Sequence, residues 1–589
     1  MARRRGIVVV VSLIGLAVLL CIAAVAIVVV VVSRGPFIPD SSVLVLRPGG
    51  ELYETPPDNV LEQVLGGEAE TLSAYVTSLR LAKRDPRITH VLLVPDDLGV
   101  PYWGKVQELR AAILDFRASG KRVTAFLEYG GDPQYYLASA ADRVVLVPTS
   151  ALDLTGIASY EIFLRGMLDT LGVYPDFLEV GDFKTAPNQL TETGMTPAHR
   201  EMSESLNRSL YDQLVRGIAE GRRKTDADVR ALLDEGPFTA DDALRAGLVD
   251  ELAYQDELEA RVPELRDSLE EERRVLIRDY QRVRPSALGI RTRARIAVLY
   301  AEGTIVSGES GFDPLNGSVI GSDTFVRHLR SIREDDSIAA IVLRVNSPGG
   351  SAVASDVIWR ELMLTREREP SRPLVTSMSD LAASGGYYLA MAGQSIVAQP
   401  GTLTGSIGIY AGKMALGGAA AKLGITSEAV TSGANADIYS PFAPFTPAQR
   451  EKVEAFMQTF YDGFVDKAAA ARGATSAQIH AVAQGRVWTG EQARDRGLVD
   501  ALGGLDLAVA MAKELAGIPA GEDVELVVYP PRRTLYEALA QQMGGGPLSG
   551  DVWSLLAGSH GRTLSAAAAP ARLFRRGEPL ALMPPMLRR

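Results

Sequence analysis

Cysteine is nearly absent from this sequence, whose 589 residues contain only Cys21. A single thiol cannot form a disulfide within the chain, so the fold has to be stable without a disulfide framework. An excess of basic residues is also missing, since the formal net charge is −11. Proteins that bind nucleic acid usually present a basic face, and we therefore expect no nucleic-acid partner.

Histidine is scarce as well, and its distribution does not suggest a metal site. The five histidines are scattered along the chain at His90, His199, His328, His480 and His560. No His-Glu-x-x-His run occurs, and each histidine is more typical of a packed or surface side chain. We expect neither a metal ion nor another cofactor.

Charged residues are missing altogether from residues 7–32, which form one long apolar run. At about 1.5 Å per residue this run can cross a hydrocarbon core of about 30 Å. Three arginines within residues 1–6 precede it and only Arg34 follows closely, which predicts a cytoplasmic N-terminus and extracytoplasmic domains. We therefore expect a single-pass anchor in the lipid bilayer of the cytoplasmic (inner) membrane.

A cleaved signal peptide is the alternative for this segment. Residues 24–26 read Ala-Val-Ala, the small-x-small form of a cleavage site, but five valines follow at residues 28–32. A signal peptidase site lies at the polar edge of the apolar run, whereas this one lies inside it. The pattern favours a retained anchor.

The rest of the chain contains an internal repeat. Blocks of similar sequence recur in the same order at offsets of 250 to 252 residues, namely 135–138 with 387–390, 147–157 with 399–409, 196–198 with 446–448, and 238–250 with 488–500. Repetition at a fixed period is the sequence signature of duplicated structural units. The chain is therefore a tandem duplication.

Each copy alternates short apolar runs with stretches of helical period. The runs are 42–46 and 91–94 in the first copy and 296–300 and 340–345 in the second, and the helical stretches include 106–117 and 357–366. This alternation predicts β-α units, a largely parallel sheet and an α/β fold class. We expect a first repeat at residues 40–255, a charged, solvated linking helix at 256–294, a second repeat at 295–516 and a peripheral tail at 517–589.

Two glycine-rich motifs in the second copy could carry chemistry. Ser347-Pro348-Gly349-Gly350 follows an apolar run, and glycines there let backbone N–H groups approach a ligand oxygen. Ser384 stands before Gly385-Gly386 at the start of a predicted helix, where an N–H and the helix dipole could face an oxyanion. Either motif alone is more often an ordinary turn or helix start.

Comparison of the two copies favours a functional role. Asp132 stands in the first copy where the second has Ser384, and Pro133, which has no N–H, replaces Gly385. Conversely, Lys184 of the first copy aligns with Ala436 of the second. One copy retains a lysine and the other a serine, as expected if an ancestral unit held both.

Together these motifs, with residues 403–408 (Leu-Thr-Gly-Ser-Ile-Gly), resemble the signal peptide peptidase A (protease IV) family in its double-domain form. The resemblance covers about residues 40 to 515. It implies a tandem Clp protease/crotonase-like superhelical fold and a serine–lysine dyad peptidase that degrades signal peptides left in the membrane. It also implies a homo-oligomer, expected to be a tetramer.

The resemblance assigns roles to residues of this chain. Ser384 would be the nucleophile, Lys184 the general base, and Gly350 and Gly385 the oxyanion donors, with Gly349 in support. By analogy with the third members of other catalytic sets, and not from the resemblance, we expect Ser406 to hold the lysine amine in position. A lysine can act as a base near neutral pH only if burial lowers its pKa by several units.

Two rival functions remain open at this stage. Crotonase-type enzymes use similar backbone amides to stabilise an enolate of a coenzyme A thioester, and fold alone does not separate them from peptidases. The retained serine and lysine and the expected extracytoplasmic location favour the peptidase. A non-catalytic membrane scaffold would have no reason to retain one serine and one lysine from opposite copies.

Overall fold

The computed structural model describes residues 36–55, 70–99, 102–261, 263–266, 273–313, 317–531, 578–583 and 587–588. The expected anchor at residues 7–32 lies outside these ranges. Among the helices that are described, none has the length and apolar character needed to cross a bilayer.

The first repeat is built on a six-stranded sheet in the order β10-β5-β3-β2-β1-β11, and all its neighbouring strands are parallel. Its elements are β1 (Ser42–Leu46), α1 (Leu72–Arg84), β2 (Ile88–Leu93), α2 (Gly104–Arg117), β3 (Arg122–Leu127), β4 (Gly130–Gly131), α3 (Asp132–Ala138), β5 (Arg143–Leu146), β6 (Ala151–Asp153), β7 (Ser159–Tyr160), α4 (Arg165–Leu171), β8 (Tyr174–Val180), α5 (Asn188–Thr191), α6 (Pro197–Arg222), α7 (Asp226–Glu235), β9 (Phe238–Thr239), α8 (Ala240–Arg245) and β10 (Glu251–Leu252). All five residues of β1 are buried, as expected of a strand covered on both faces.

Between the repeats lie α9 (Gln255–Arg261), α10 (Pro263–Arg266), β11 (Arg274–Leu276), α11 (Ile277–Tyr280) and a 3₁₀ turn (Pro285–Leu288). The prediction of a single solvated helix over residues 256–294 is therefore wrong. Val275, Ile277 and Tyr280 are buried because β11 adds a parallel strand beside β1. The apolar residues of the linker extend the first core.

The second repeat contains an eight-stranded sheet with the main order β22-β20-β18-β16-β12-β24; in addition, β19 pairs with β18, and β23 pairs with β19. Its elements are β12 (Thr292–Glu302), β13 (Thr304–Val306), β14 (Gly311–Asp313), β15 (Gly317–Gly321), α12 (Ser322–Glu334), β16 (Ile338–Ser347), β17 (Gly349–Ser351), α13 (Ala352–Arg368), β18 (Leu374–Ala383), α14 (Gly385–Ala390), β19 (Ser395–Ala398), β20 (Leu403–Gly405), β21 (Ile409–Ala415), α15 (Gly417–Lys422), α16 (Pro447–Arg472), α17 (Ser476–Val482), β22 (Val487–Thr489), α18 (Gly490–Asp495), β23 (Ala501–Leu502), α19 (Leu505–Leu515) and β24 (Asp523–Tyr529). The predicted apolar runs and helical stretches lie within strands and helices, except for Val94, which directly follows β2, and this agreement confirms the α/β fold.

The duplication is visible in matching contacts. The Tyr135 hydroxyl donates to the Leu248 carbonyl (2.6 Å), and in the second repeat the Tyr387 hydroxyl donates to the Leu498 carbonyl (3.1 Å). The long helices α6 and α16 are both 26 residues and both begin after a threonine whose side chain accepts an N–H of the first turn. The two copies have retained equivalent packing.

The tail is not wholly peripheral, and this expectation is corrected. β24 pairs in parallel with β12 at the edge of the main second-repeat sheet. Farther along, β25 (Leu580–Leu582) lies between β17 and β21, and β26 (Leu587–Arg588) pairs with β7. These strands of the tail are stabilised by pairing with strands that are distant in sequence, which a local sequence pattern does not reveal.

Many contacts join the two repeats, and two of them bear directly on the relative placement of the repeats. Strand β8 of the first repeat pairs antiparallel with β21 of the second along seven residues of each. In addition, the buried guanidinium of Arg344 in β16 lies 2.8 Å from the carboxylate of Glu54 and 2.7 Å from that of Glu108. Because removal of one partner would leave a buried charge uncompensated, these ion pairs favour one relative placement of the repeats.

Candidate active site

Ser384 occupies a strained turn between β18 and α14. Its backbone has φ 55° and ψ −113°, a conformation that costs energy for a residue with a Cβ and that is common at functional sites. The Ser384 N–H donates to the Gly405 carbonyl (2.7 Å), which fixes the turn against β20. The serine is fully buried by the surrounding chain.

Lys184 reaches this serine from the first repeat. Lys184 follows β8, and the pairing of β8 with β21 places it beside the second repeat. Its Nζ lies 2.8 Å from Ser384 Oγ. The side chain is 1% exposed, and burial holds the pKa of the amine well below its ordinary value. The structure therefore brings the two predicted side chains together within one chain, across 200 residues of sequence.

Ser406 completes the surroundings of the lysine amine. Its Oγ lies 3.0 Å from Lys184 Nζ and its carbonyl oxygen lies 3.2 Å from the same atom. Ser406 itself has φ 50°, so the backbone is again held in a sparsely populated conformation. Both oxygens can accept hydrogen bonds from the amine.

The glycine pair of the Ser347-Pro348-Gly349-Gly350 motif forms the start of β17 beside the serine. Gly349 has φ 103°, and a Cβ there would lie 2.7 Å from the Gly385 nitrogen. Gly350 has φ 155°, and a Cβ there would lie 2.1 Å from the carbonyl oxygen of Ile305. Only glycine lets the Gly350 backbone pass between β13 and the serine turn.

The loop at residues 484–486 also shapes the site, and sequence reasoning missed it. The Gln484 carbonyl accepts the Phe183 N–H (2.9 Å), and a Cβ on Gly485 would lie 2.4 Å from Lys184 Cα. This loop fixes the backbone of Lys184 against the second repeat. A lone Gln-Gly pair after a helix is an ordinary turn signal, so nothing in the sequence distinguished it.

The positions that match the serine and lysine in the opposite copies hold neither group. Asp132 accepts the Gly156 N–H (3.1 Å), and burial raises the pKa of its carboxyl to about 6. Ala436 lies exposed in the second repeat. These two positions therefore do not supply a second pair of nucleophile and base.

Comparison with known proteins gives the same family as the sequence motifs. The model of peptidase family S49 matches twice, at residues 115–268 and 366–519. The chain is similar to "Serine protease SPPA, chloroplastic" of Arabidopsis thaliana, with 36% identity across 76% of this chain and 66% of the relative.

Two bacterial relatives are similar over much of their length. "Protease 4" of Salmonella typhi is 33% identical across 87% of this chain and 83% of the relative, and "Protease 4" of Haemophilus influenzae is 31% identical across 75% and 72%. A shorter relative of Enterococcus faecium, provisionally named signal peptide peptidase SppA, is 32% identical over 36% of this chain and 60% of its own. The two family matches and the long alignments show that this chain belongs to peptidase family S49, as a tandem-repeat serine peptidase.

Proposed function

We propose that this chain is a membrane-bound serine endopeptidase that degrades residual signal peptides through an acyl-enzyme formed by Ser384 and Lys184. The observation that carries the proposal is the 2.8 Å approach of Lys184 Nζ to Ser384 Oγ in a fully buried setting. Among the relatives, the one from Enterococcus faecium bears a signal-peptide-peptidase name, which supports the substrate class.

Hydrogen-bond counting explains how the amine would act. A neutral lysine amine has two N–H donors and one lone pair. The Ser406 Oγ and carbonyl oxygens, at 3.0 and 3.2 Å, can accept both N–H groups. The lone pair is then free to accept the Ser384 hydroxyl proton, so Ser406 is a positioning residue.

The proposed reaction proceeds in two steps. Ser384 Oγ attacks the peptide carbonyl carbon while Lys184 takes its proton and passes it to the leaving amine, and the C–N bond breaks. Water then hydrolyses the ester with Lys184 again as base. The Gly350 and Gly385 N–H groups are proposed to bind the oxyanion, since both border the serine turn.

The substrate class can be tested with synthetic peptides. Full-length protein in detergent should cut signal peptides within their apolar segment and should cut length-matched polar peptides much more slowly. Mass spectrometry of the products identifies the bonds. Equal cleavage of both sets would contradict the signal-peptide assignment without affecting the serine peptidase.

The pH profile should report the lysine. We expect kcat/KM to rise as Lys184 loses its proton, with a midpoint well below about 10.4, the ordinary lysine pKa, because burial lowers this pKa. The pKa of Lys184 is lower in the folded state than in the unfolded state. At any pH between these two pKa values, folding releases a proton from the amine. The stability contributed by Lys184 therefore increases as pH rises through that interval.

A lysine outside the site provides the control for this profile. Burial also lowers the pKa of Lys121, but its amine donates to the carbonyls of Ala82 and Asp85 rather than to a serine. Lys121→Ala should leave the midpoint of the kcat/KM profile unchanged. A wild-type midpoint near pH 10 would contradict the neutral base.

Membrane attachment and assembly also belong to the proposal. In the first repeat, β8 and the residues that follow it, including Lys184, pack against the second repeat. The equivalent segment of the second repeat is exposed, with Leu423 77% and Val430 102% exposed. We propose that this exposed segment packs in the same way against the first repeat of another copy. Repeated head-to-tail contact would close a ring, in line with the tetramer that the family resemblance implies. The mass of the purified assembly checks this.

A further inference from the structure

The side chain of Arg486 lies between two aromatic rings, one from each repeat. Its guanidinium carbon lies 4.5 Å from the centre of the Phe183 ring and 4.4 Å from the centre of the Trp488 ring. Stacking of a guanidinium on an aromatic face is attractive, and the attraction is stronger where water is excluded. Phe183 directly precedes Lys184, so this stack joins the second repeat to the segment that bears the proposed base.

The two rings, more than hydrogen bonds, hold this guanidinium. Nη1 donates to Glu201 Oε1 in α6 at 2.7 Å, but the Glu201 side chain is 61% exposed, so this ion pair is weak. Nε of Arg486 is buried and has no acceptor among the residues that the structure describes. The guanidinium is therefore stabilised mainly by the faces of the Phe183 and Trp488 rings.

Trp488 is the fixed side of the stack. It is 5% exposed, and its Nε1 donates to the Val482 carbonyl at 2.9 Å. In the sheet it lies opposite Thr404 of β20. Because Trp488 is held by both its backbone and its side chain, it fixes the position of the guanidinium that stacks on it.

The backbone of Arg486 contacts the opposite side of the lysine amine. Its carbonyl accepts the Ser406 N–H at 2.7 Å. Ser406 in turn places its Oγ 3.0 Å from Lys184 Nζ. One residue therefore holds both the segment that bears the amine, through Phe183, and the serine that accepts from it.

These contacts matter because burial lowers the pKa of Lys184. Movement of Phe183 away from the second repeat would let water reach the amine, and the pKa would then rise toward its ordinary value. Among the described residues, Glu201 and Arg496 present charges to the Arg486 guanidinium.

We propose that Arg486 is a positioning residue for the base, which holds Phe183 against Trp488 and so keeps the Lys184 amine between Ser384 and Ser406. This inference rests on the proposed serine–lysine function and deepens it. The role requires a flat, delocalised cation, because such a group can stack on two rings at once. It also requires this place in the chain, since the same residue provides the carbonyl that accepts from Ser406.

The pH dependence of peptide hydrolysis by the full-length protein tests the role. Arg486→Ala should lower kcat at neutral pH by about 10- to 10²-fold, the loss expected when a catalytic group is slightly misplaced. KM should change less, because Arg486 acts through the base. The midpoint of the kcat/KM profile should move to higher pH, and part of the lost activity should return there. A purely structural role would reduce the amount of folded protein without moving the midpoint.

The same ring provides a matched control. The guanidinium carbon of Arg496 lies 3.8 Å from the centre of the Trp488 ring, but its Nη1 donates to the Gln492 carbonyl at 2.8 Å, away from Lys184. Arg496→Ala should therefore keep the wild-type midpoint and kcat.

Two further variants examine the stack itself. Phe183→Leu removes the opposite ring and should move the midpoint in the same direction as Arg486→Ala, and it tests the proposal even if Arg486→Ala does not fold. The double variant should shift the midpoint little further, because both changes break one contact. Arg486→Lys keeps the charge but not the flat group, so its midpoint should also rise.

The outcomes separate this inference from the proposed function. A wild-type midpoint and wild-type kcat in Arg486→Ala, counted per site labelled by a serine-directed probe, would overturn the positioning role. An equal shift in Arg496→Ala, or a wild-type midpoint in Arg486→Lys, would also overturn it. If Lys184→Ala is inactive, each of these results leaves the serine–lysine function intact. Hydrolysis by folded Lys184→Ala would contradict both proposals.

Discussion

Replacing Lys184 by alanine should lower kcat/KM for peptide hydrolysis by at least about 10⁴-fold, and Ser384→Ala should have a similar effect. The serine hydroxyl is a poor nucleophile without a base, and Nζ of Lys184 is the basic nitrogen placed 2.8 Å from it. Because the two groups act in one step, the double variant should be no worse than either single variant. Steady-state hydrolysis of a fluorogenic peptide measures all three.

Two controls separate lost chemistry from lost structure. Lys121→Ala removes another lysine whose pKa burial lowers, yet it lies outside the site and should retain activity. Circular dichroism of each variant should match the wild type, and each variant should still unfold cooperatively, which shows that the fold is retained. Substantial hydrolysis by folded Lys184→Ala would falsify the dyad.

Gly350→Ala should lower kcat by about 10²- to 10³-fold, the loss typical of one missing oxyanion donor. A Cβ at Gly350 would lie 2.1 Å from the Ile305 carbonyl oxygen, so the backbone has to shift and its N–H moves away from the developing oxyanion. The serine and lysine are untouched. KM should change less than kcat, because the donor acts mainly in the transition state.

A strained glycine elsewhere controls for general destabilisation. Gly172 has φ 78°, and a Cβ there would lie 2.8 Å from the backbone of Gly418, a milder clash that still forces the backbone to shift. Gly172→Ala should lose stability but keep the kcat of its folded fraction. A serine-directed covalent probe counts the competent sites in each preparation. If Gly350→Ala retained the wild-type kcat per labelled site, Gly350 would not be an oxyanion donor.

The sequence predicted the fold and the central pair of residues for identifiable reasons. Alternating apolar runs such as 340–345 follow directly from strand burial, and they lie within β16. Ser384 and Lys184 became visible because each is lost from the opposite copy, at Asp132 and Ala436. The internal comparison supplied information that a single unrepeated chain would not contain.

Other parts of the site depend on contacts that no local pattern encodes. Gly485 acts through its close approach to Lys184, from 301 residues away in the chain, and resembles any turn glycine in sequence. β25 is a three-residue strand whose neighbours β17 and β21 provide its pairing. The charged composition around residues 270–274 suggested a solvated helix, but the buried side chains of Val275 and Ile277 decided the local structure.

The separation of amine and hydroxyl between the repeats has a consequence during synthesis of the chain. While the ribosome has completed only the first repeat, the emerging polypeptide carries Lys184 but not Ser384, which is 200 residues farther on. Under the proposed dyad, a truncated or half-finished product cannot cut peptides. Cutting activity would begin only after both halves have folded against each other, so the division of the pair between the repeats would set the time at which the enzyme becomes competent.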